Sequence, residues 1–453
     1  MCPPGHNCWG WTLFDLQLQR SRTDRVHGYF TSVRIQAESY AVAAFLGLLA
    51  PVELDSHPFE SPRSVDDYWG AVAEFDLTTL LSVARTQPEI MFAQALTLFA
   101  GREYGKAERV FSTLSTSEED ASVAMMSKEM LAMTLLYEQK WSALRDLSYK
   151  WKLSAADIKN IPALQWGRAF ADIEPTTINF SDRPATLPLE ITAVGTPTIQ
   201  VLINGKEFQF WLDTGSSMTV VSSRVASAAG IAIVGGDKLV VSTFAGAAPV
   251  RPAVLTTLEL GPIFLTNSPA IVMDAALMQV KRTTDDSGGT MIVDGIIGWD
   301  IIRQLDVTMN YRDRSITLRR PRKMRVRASS QNLTWVGTPL VTVRARAGRD
   351  MHFTLDTGAQ ASFVDGGVLQ ITGTSSTYSN TRAYGIGQQS GNRARVVKGL
   401  NLEINGRSLP TNELIVYDQP SAGPVTCDGI LGSDLAQFGT IRIDASNGVF
   451  SID

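Results

Sequence analysis

The strongest constraint on how this chain folds is a repeat in its C-terminal half. Leu-Asp-Thr-Gly occurs at Leu212–Gly215 and again at Leu355–Gly358, 143 residues on. Three further landmarks recur around it. Val-Gly-Thr-Pro starts at Val194 and at Val336, an offset of 142. Leu-Glu-Leu at Leu258 is answered by Leu-Glu-Ile at Leu402, an offset of 144, and Asp-Gly-Ile-Ile-Gly at Asp294 by Asp-Gly-Ile-Leu-Gly at Asp428, an offset of 134. Four landmarks in one order imply two copies of one fold, read here as lobes over 183–322 and 323–453. The offset falls by ten between the third and fourth landmarks, so the first lobe carries an additional loop there, placed at the polar stretch Lys281–Thr290. The basic run Arg319–Arg327 lies at the junction and reads as a solvated linker.

From Pro175 onward, short runs rich in β-formers alternate with Gly, Asn and Pro turns, which predicts a mainly β half. Phe208, Phe210 and Leu212 form an alternating strand into Asp213, and Phe353 and Leu355 lead into Asp356 in the same way. Thr-Gly after a strand implies a sharp turn that presents the carboxylate, with glycine permitting an approach that a Cβ would hinder. Thr214, Gly215 and Ser216 support the first turn, and Thr357, Gly358 and Ala359 the second. Apolar runs follow each turn, and each lobe later supplies an apolar-apolar-Gly element: Ile296-Ile297-Gly298 and Ile430-Leu431-Gly432. A single Asp-Thr-Gly is a weak signal. Two copies on matched lobes, each with this later element, are a strong one.

On these residues the lobes resemble aspartic peptidases of the pepsin and retropepsin class. The resemblance implies a bilobal, pseudo-twofold acid-protease fold in which Asp213 and Asp356 are the catalytic pair. It also implies that Ile297, Gly298, Leu431 and Gly432 pass beneath the two loops in a psi-shaped crossing. Asp-Thr-Gly-Ser at Asp213 is similar to the pepsin form, Asp-Thr-Gly-Ala at Asp356 to the retroviral form, and lobe length favours the retroviral side. Two close carboxylates cannot both ionise easily, so they share a proton. One can then take a proton from water while the other polarises a peptide carbonyl. An endopeptidase that needs neither metal nor cofactor is expected, active as a monomer on a polypeptide bound as an extended strand. The alternative is an inactive scaffold that holds peptides without cutting them. Gly-rich stretches supply flap candidates: Phe244 and Gly246 in the first lobe, and Tyr384, Gly385 and Gly387 in the second. Apolar residues in these stretches predict a preference for apolar side chains beside the cut.

The remaining two-fifths of the chain is different. Over 61–172 apolar residues recur at three- and four-residue steps, which predicts an all-α module. Met91, Phe92, Ala95, Leu96 and Phe99 make one run, Tyr104, Ala107, Val110 and Phe111 the next. Met126, Met130, Met133 and Leu136 form a stripe, followed by Trp141, Leu144 and Leu147. Ala107 and Ala143 stand 36 residues apart, and the pattern resembles tetratricopeptide repeats, with an unrelated helical bundle as the alternative. Such a module suits a protein partner better than chemistry. Residues 1–60 read as a tail or targeting segment whose apolar stretch Tyr40–Pro51 favours export, periplasmic or secreted, over the cytoplasm. No run is long enough for a membrane span.

Composition narrows the partners. Net charge is −4 with 19% charged residues, giving no general basic character for nucleic acid. Three cysteines do not make a disulfide framework, and Cys2, His6 and Cys8 match no zinc spacing. Asp285–Gly289 has the look of a serine-protease segment. None of the four histidines stands in a context that would serve it as a base.

Overall fold

The strand that leads into Asp213 forms because Asn204 and Gly205 close a tight turn before it. Both adopt positive φ, 49° and 76°, the geometry of a two-residue hairpin. That turn joins Pro197–Ile203 to Lys206–Leu212 in antiparallel register, with Val201 opposite Phe208 and Thr198 opposite Trp211. The computed structural model describes residues 67–153, 161–235, 239–243, 246–281, 290–327, 330–345, 350–379, 384–385, 388–389, 394–410, 413–417 and 425–453. The tail, the Tyr40–Pro51 stretch and the Asp285–Gly289 segment lie outside them.

The protein is mainly β, with an all-α region before the sheets. The chain divides into two units, one holding the helices up to Pro175 with Ser421–Thr426, the other Thr176–Pro420 with Cys427–Asp453.

In the helical unit, Gln87–Ala100 starts with a capping box: Glu89 N–H donates to Thr86 Oγ1 at 3.3 Å, and Glu89 Oε2 accepts from Thr86 N–H at 3.0 Å. Asp120 caps Ala121–Tyr137 by accepting from Ser122 and Val123 N–H at 2.9 and 3.0 Å. The helices Gln87–Ala100, Tyr104–Leu114, Ala121–Tyr137 and Trp141–Lys150 each pack on the next. Their turns place Arg102 and Gln139 at positive φ, and Ala107 is buried where Ala143 is exposed. The buried counterpart of Ala107 is Leu144, so the 36-residue alignment is off by one. The methionine stripe also needs correction. Met133 and Leu136 are only half-buried, while Val123, Leu131 and Leu135 join Met126 and Met130 in the core. Ala121–Tyr137 packs against four other helices, so its buried face is wider than one stripe. Among the described residues no helix is long and apolar enough to cross a membrane.

Among the described residues the β unit contains two ten-stranded sheets of matching connectivity. In the first, Gly295–Ile297 lies between Lys206–Leu212, to which it is parallel, and Val220–Ser222, to which it is antiparallel. In the second, Gly429–Leu431 lies between Asp350–Leu355 and Phe363–Asp365 in the same two senses. The Leu258 landmark pairs with Ile203, and its counterpart Leu402 with Ala345. At the place of the additional loop of the first lobe, Gln279–Lys281 pairs antiparallel with Thr290–Ile292.

A five-stranded sheet joins the lobes, in the order Ala185–Pro188, Ser315–Arg319, Asp306–Asn310, Thr440–Asp444, Val449–Ile452. Arg319 is therefore a strand residue, and the linker begins after it. Arg322 to Arg325 is exposed, but its backbone is pinned. Asn447 Nδ2 donates to the Arg322 carbonyl, and Met324 N–H donates to Asn447 Oδ1, both at 2.8 Å. Regular β structure also starts earlier than residue 183, because Thr177–Asn179 pairs with Ile263–Met273.

Candidate active site

Each Asp-Thr-Gly loop is tied to the strand that crosses beneath it. Asp213 N–H donates to the Ile297 carbonyl at 3.1 Å, and Asp356 N–H to the Leu431 carbonyl at 2.9 Å. The crossing strands fit only because they begin and end in glycine. A Cβ on Gly295 would stand 2.7 Å from the Val220 carbonyl oxygen, and one on Gly298 2.6 Å from that of Met218. On Gly429 it would meet Phe353 Cδ1 at 2.8 Å, and on Gly432 the Ala361 oxygen at 2.6 Å.

The two loops are locked together by their threonines. Thr214 Oγ1 donates to the Leu355 carbonyl and Thr357 Oγ1 to that of Leu212, both at 2.6 Å. Each hydroxyl in turn accepts the other threonine's backbone N–H at 3.1 Å. Four buried hydrogen bonds thus cross the pseudo-twofold axis in matched pairs, all of them satisfied.

This lock sets the Asp213 and Asp356 carboxylates close together across the two loops. Asp213 Oδ1 accepts from Gly215 and Ser216 N–H at 2.9 and 3.2 Å. Asp356 Oδ1 accepts from Gly358 and Ala359 N–H, both at 2.9 Å. The glycines face the opposite carboxylate. A Cβ on Gly215 would lie 2.6 Å from Asp356 Oδ1, and one on Gly358 2.6 Å from Asp213 Oδ1. Asp356 Oδ2 is buried and meets no hydrogen-bond donor among the described residues. Burial pushes the Asp213 carboxyl up to about 6 despite the N–H donors that oppose the shift. Burial, and then the charge of Asp213, hold Asp356 well above the ordinary carboxylate range. The arrangement can therefore retain one proton between two carboxylates near neutral pH.

Ser216 and Ala359 occupy matched places. Their carbonyls accept N–H from Trp299 and Ser433, both at 2.7 Å, and the Ser216 hydroxyl donates to the Met218 carbonyl at 2.7 Å. Of the flap candidates, Gly246, Tyr384 and Gly385 fall on paired strands. Gly246 pairs with Thr243 at the end of Leu239–Thr243, and Tyr384–Gly385 pairs with Gln388–Gln389. Phe244, Gly387 and the Tyr384 side chain lie outside the described residues. Among the described residues no group of three His, Cys, Asp or Glu is placed to hold a metal ion.

The motif reading missed a set of polar residues behind each loop. Gly298 N–H donates to Thr219 Oγ1 at 3.3 Å, and Thr219 Oγ1 donates to Asp300 Oδ1 at 3.0 Å. In the second lobe, Gly432 N–H donates to Ser362 Oγ at 3.0 Å, and Ser362 Oγ donates to Asp434 Oδ1 at 2.7 Å. Burial raises both carboxyls, Asp300 to about 6. The signal was present in the repeat: a hydroxyl residue follows the Asp of each Asp-Thr-Gly by six, and an Asp follows each crossing Gly by two. Asp294 and Asp428 are matched as well, accepting from the backbone N–H of Gln209 at 3.4 Å and of His352 at 2.9 Å. Arg224 forms an ion pair with Asp294.

Residues 199–301 match a family model described as aspartyl protease. That span contains the Asp213 loop, the crossing strand and Asp300. Two of the solved structures that the chain resembles are as follows. The aspartic proteinase from Irpex lacteus has 12% identity and a TM-score of 0.37, over 59% of this chain and 96% of its own. A retropepsin-like aspartic protease from Rickettsia conorii has 14% identity and a TM-score of 0.21, over 32% of this chain and 92% of its own. No curated protein matches the chain.

Proposed function

We propose that this chain is an aspartic endopeptidase in which Asp213 and Asp356 activate one water against a peptide bond. The observation that carries the reading is the carboxylate pair, each member with Oδ1 saturated by two backbone N–H groups. The aspartyl protease match over 199–301 supports it. In this reading Asp356 holds the shared proton and passes it to the substrate carbonyl oxygen as the water attacks. Ionised Asp213 takes a proton from the water, whose oxygen attacks the carbonyl carbon. The tetrahedral diol collapses as the leaving nitrogen is protonated, and the dyad ends with one proton, as it began. The substrate lies extended beneath the flap candidates, with apolar side chains beside the cut.

Incubating the full chain with a mixed peptide library from pH 4 to 9, with and without pepstatin, tests this by mass spectrometry. Internal cleavage is expected. Burial holds both carboxyls above the ordinary range, so activity should rise through about pH 6 as the pair loses its first proton and fall at higher pH as it loses the second. Asp213→Asn and Asp356→Asn should each lower turnover at least about 100-fold, and the double variant little further, because the pair acts as a unit. Near-normal turnover in either single variant would overturn the reading.

A further inference from the structure

We infer that Asp300 and Asp434 are positioning residues for the carboxylate pair, each setting the height of its catalytic loop through a hydroxyl and the crossing strand. The chain of contacts is continuous. Asp300 Oδ1 accepts from Thr219 Oγ1, and Thr219 Oγ1 accepts from Gly298 N–H. The adjoining Ile297 carbonyl then accepts from Asp213 N–H at 3.1 Å. The second lobe repeats it from Asp434 through Ser362 and Gly432 to the Leu431 carbonyl, which accepts from Asp356 N–H at 2.9 Å.

Three features separate this from ordinary buried hydrogen bonding. The relay occurs in both lobes with different hydroxyl residues, Thr219 and Ser362, so the bond pattern rather than the side-chain shape is what matches. The carboxylates also take the backbone N–H of the same residue: Ser362 N–H donates to Asp434 Oδ2 at 3.0 Å, and Thr219 N–H reaches Asp300. The acid and its hydroxyl partner therefore form a two-point clamp. Finally, the Asp300 carboxylate is seated against its glycine, since a Cβ on Gly298 would lie 2.8 Å from Asp300 Oδ1. A relay that starts on a rigid clamp and ends on the Asp213 amide fixes where that carboxylate can sit. A small misplacement of reacting groups is costly in turnover. The clamp needs an acceptor at this place and does not need a charge.

This inference rests on the peptidase reading, and two readouts keep them apart. The first is kinetic. Thr219→Val should lower kcat about 10-fold or more with KM within about two-fold, since positioning acts in the transition state rather than on binding. Thr219→Ser should return kcat to within about two-fold of the original. Asp300→Asn, which keeps an acceptor oxygen, should resemble Thr219→Ser, whereas Asp300→Ala should resemble Thr219→Val. Ser362→Ala provides the same test in the second lobe should Thr219→Val fail to fold. The second readout is amide hydrogen exchange in the full chain. Thr219→Val should speed exchange at residues 213–216 while leaving residues 206–212 protected. Unchanged kcat, a rise in KM alone, no rescue by serine, or unaltered exchange at 213–216 would each overturn the proposal. A wild-type chain that cuts no peptide would sink the peptidase reading, and the exchange experiment would still decide the clamp.

Discussion

At the scale of single residues, the carboxylate pair is held in a place that disfavours its own ionisation. Its sign with pH follows directly. A carboxyl raised above its unfolded value binds its proton more tightly in the folded chain, so it stabilises the fold at low pH. That contribution is lost as pH rises through the folded value, about 6 for Asp213. Asp213→Asn removes the group that must ionise. Its stability relative to wild type should therefore grow between pH 4 and pH 8, by at most about 3 kcal/mol for a shift of about two units. Urea denaturation at the two pH values measures it. A difference that stays constant, or shrinks toward pH 8, would show that the pair is not strained by charge.

Secondary-structure elements explain why much of the site could be read from sequence and some could not. The crossing strands were legible because their packing allows so little. Gly295 and Gly429 lie where a side chain would strike the neighbouring strand, so each lobe keeps Gly-apolar-apolar-Gly. Gly429→Ala should accordingly destabilise the chain by about 1–3 kcal/mol through overpacking. Gly105→Ala sits in Tyr104–Leu114 with its nearest neighbour, Glu138 Oε1, at 3.8 Å, and should stabilise by up to about 1 kcal/mol. Thermal and urea unfolding of both variants decide it, and equal effects would mean that the crossing strand has room to spare. Asp300 and Asp434 were not singled out because an Asp shortly after a glycine looks like any surface turn. Only the pairing of Thr219 and Ser362 with them, across 81 and 72 residues of chain, gives them meaning. In the helices, the three- and four-residue period located the elements. It did not reveal that Ala121–Tyr137 is packed on several sides, which is a property of its neighbours.

At the scale of the β unit, the two lobes are held by more than the peptide that links them. The five-stranded sheet takes Asp306–Asn310 from one and Thr440–Asp444 from the other in continuous register, Asp306 opposite Asp444 and Asn310 opposite Thr440. Trp299 and Trp335 add an edge-on contact at 5.4 Å. Limited trypsin treatment should cut at exposed Arg325 or Arg327, beyond the stretch that Asn447 pins. The two pieces should still elute as one particle on size exclusion and retain peptide cleavage. Separation into two particles without denaturant would show that the linker, not the sheet, holds the lobes.

That shared sheet also gives the molecule an order in time. Asp306–Asn310 lies between Ser315–Arg319, which follows it almost at once, and Thr440–Asp444, which the ribosome supplies about 130 residues later. Until then one side of this strand has no partner of its own, and an unpaired edge invites the wrong one. The first lobe can finish its psi crossing early, since Gly295–Ile297 precedes Asp306. The carboxylate pair cannot form before Asp356 and the crossing strand beneath it have been made. A nascent chain thus reaches a stage at which Asp213 and its crossing strand have been made while Asp356 and the second partner of this open strand have not.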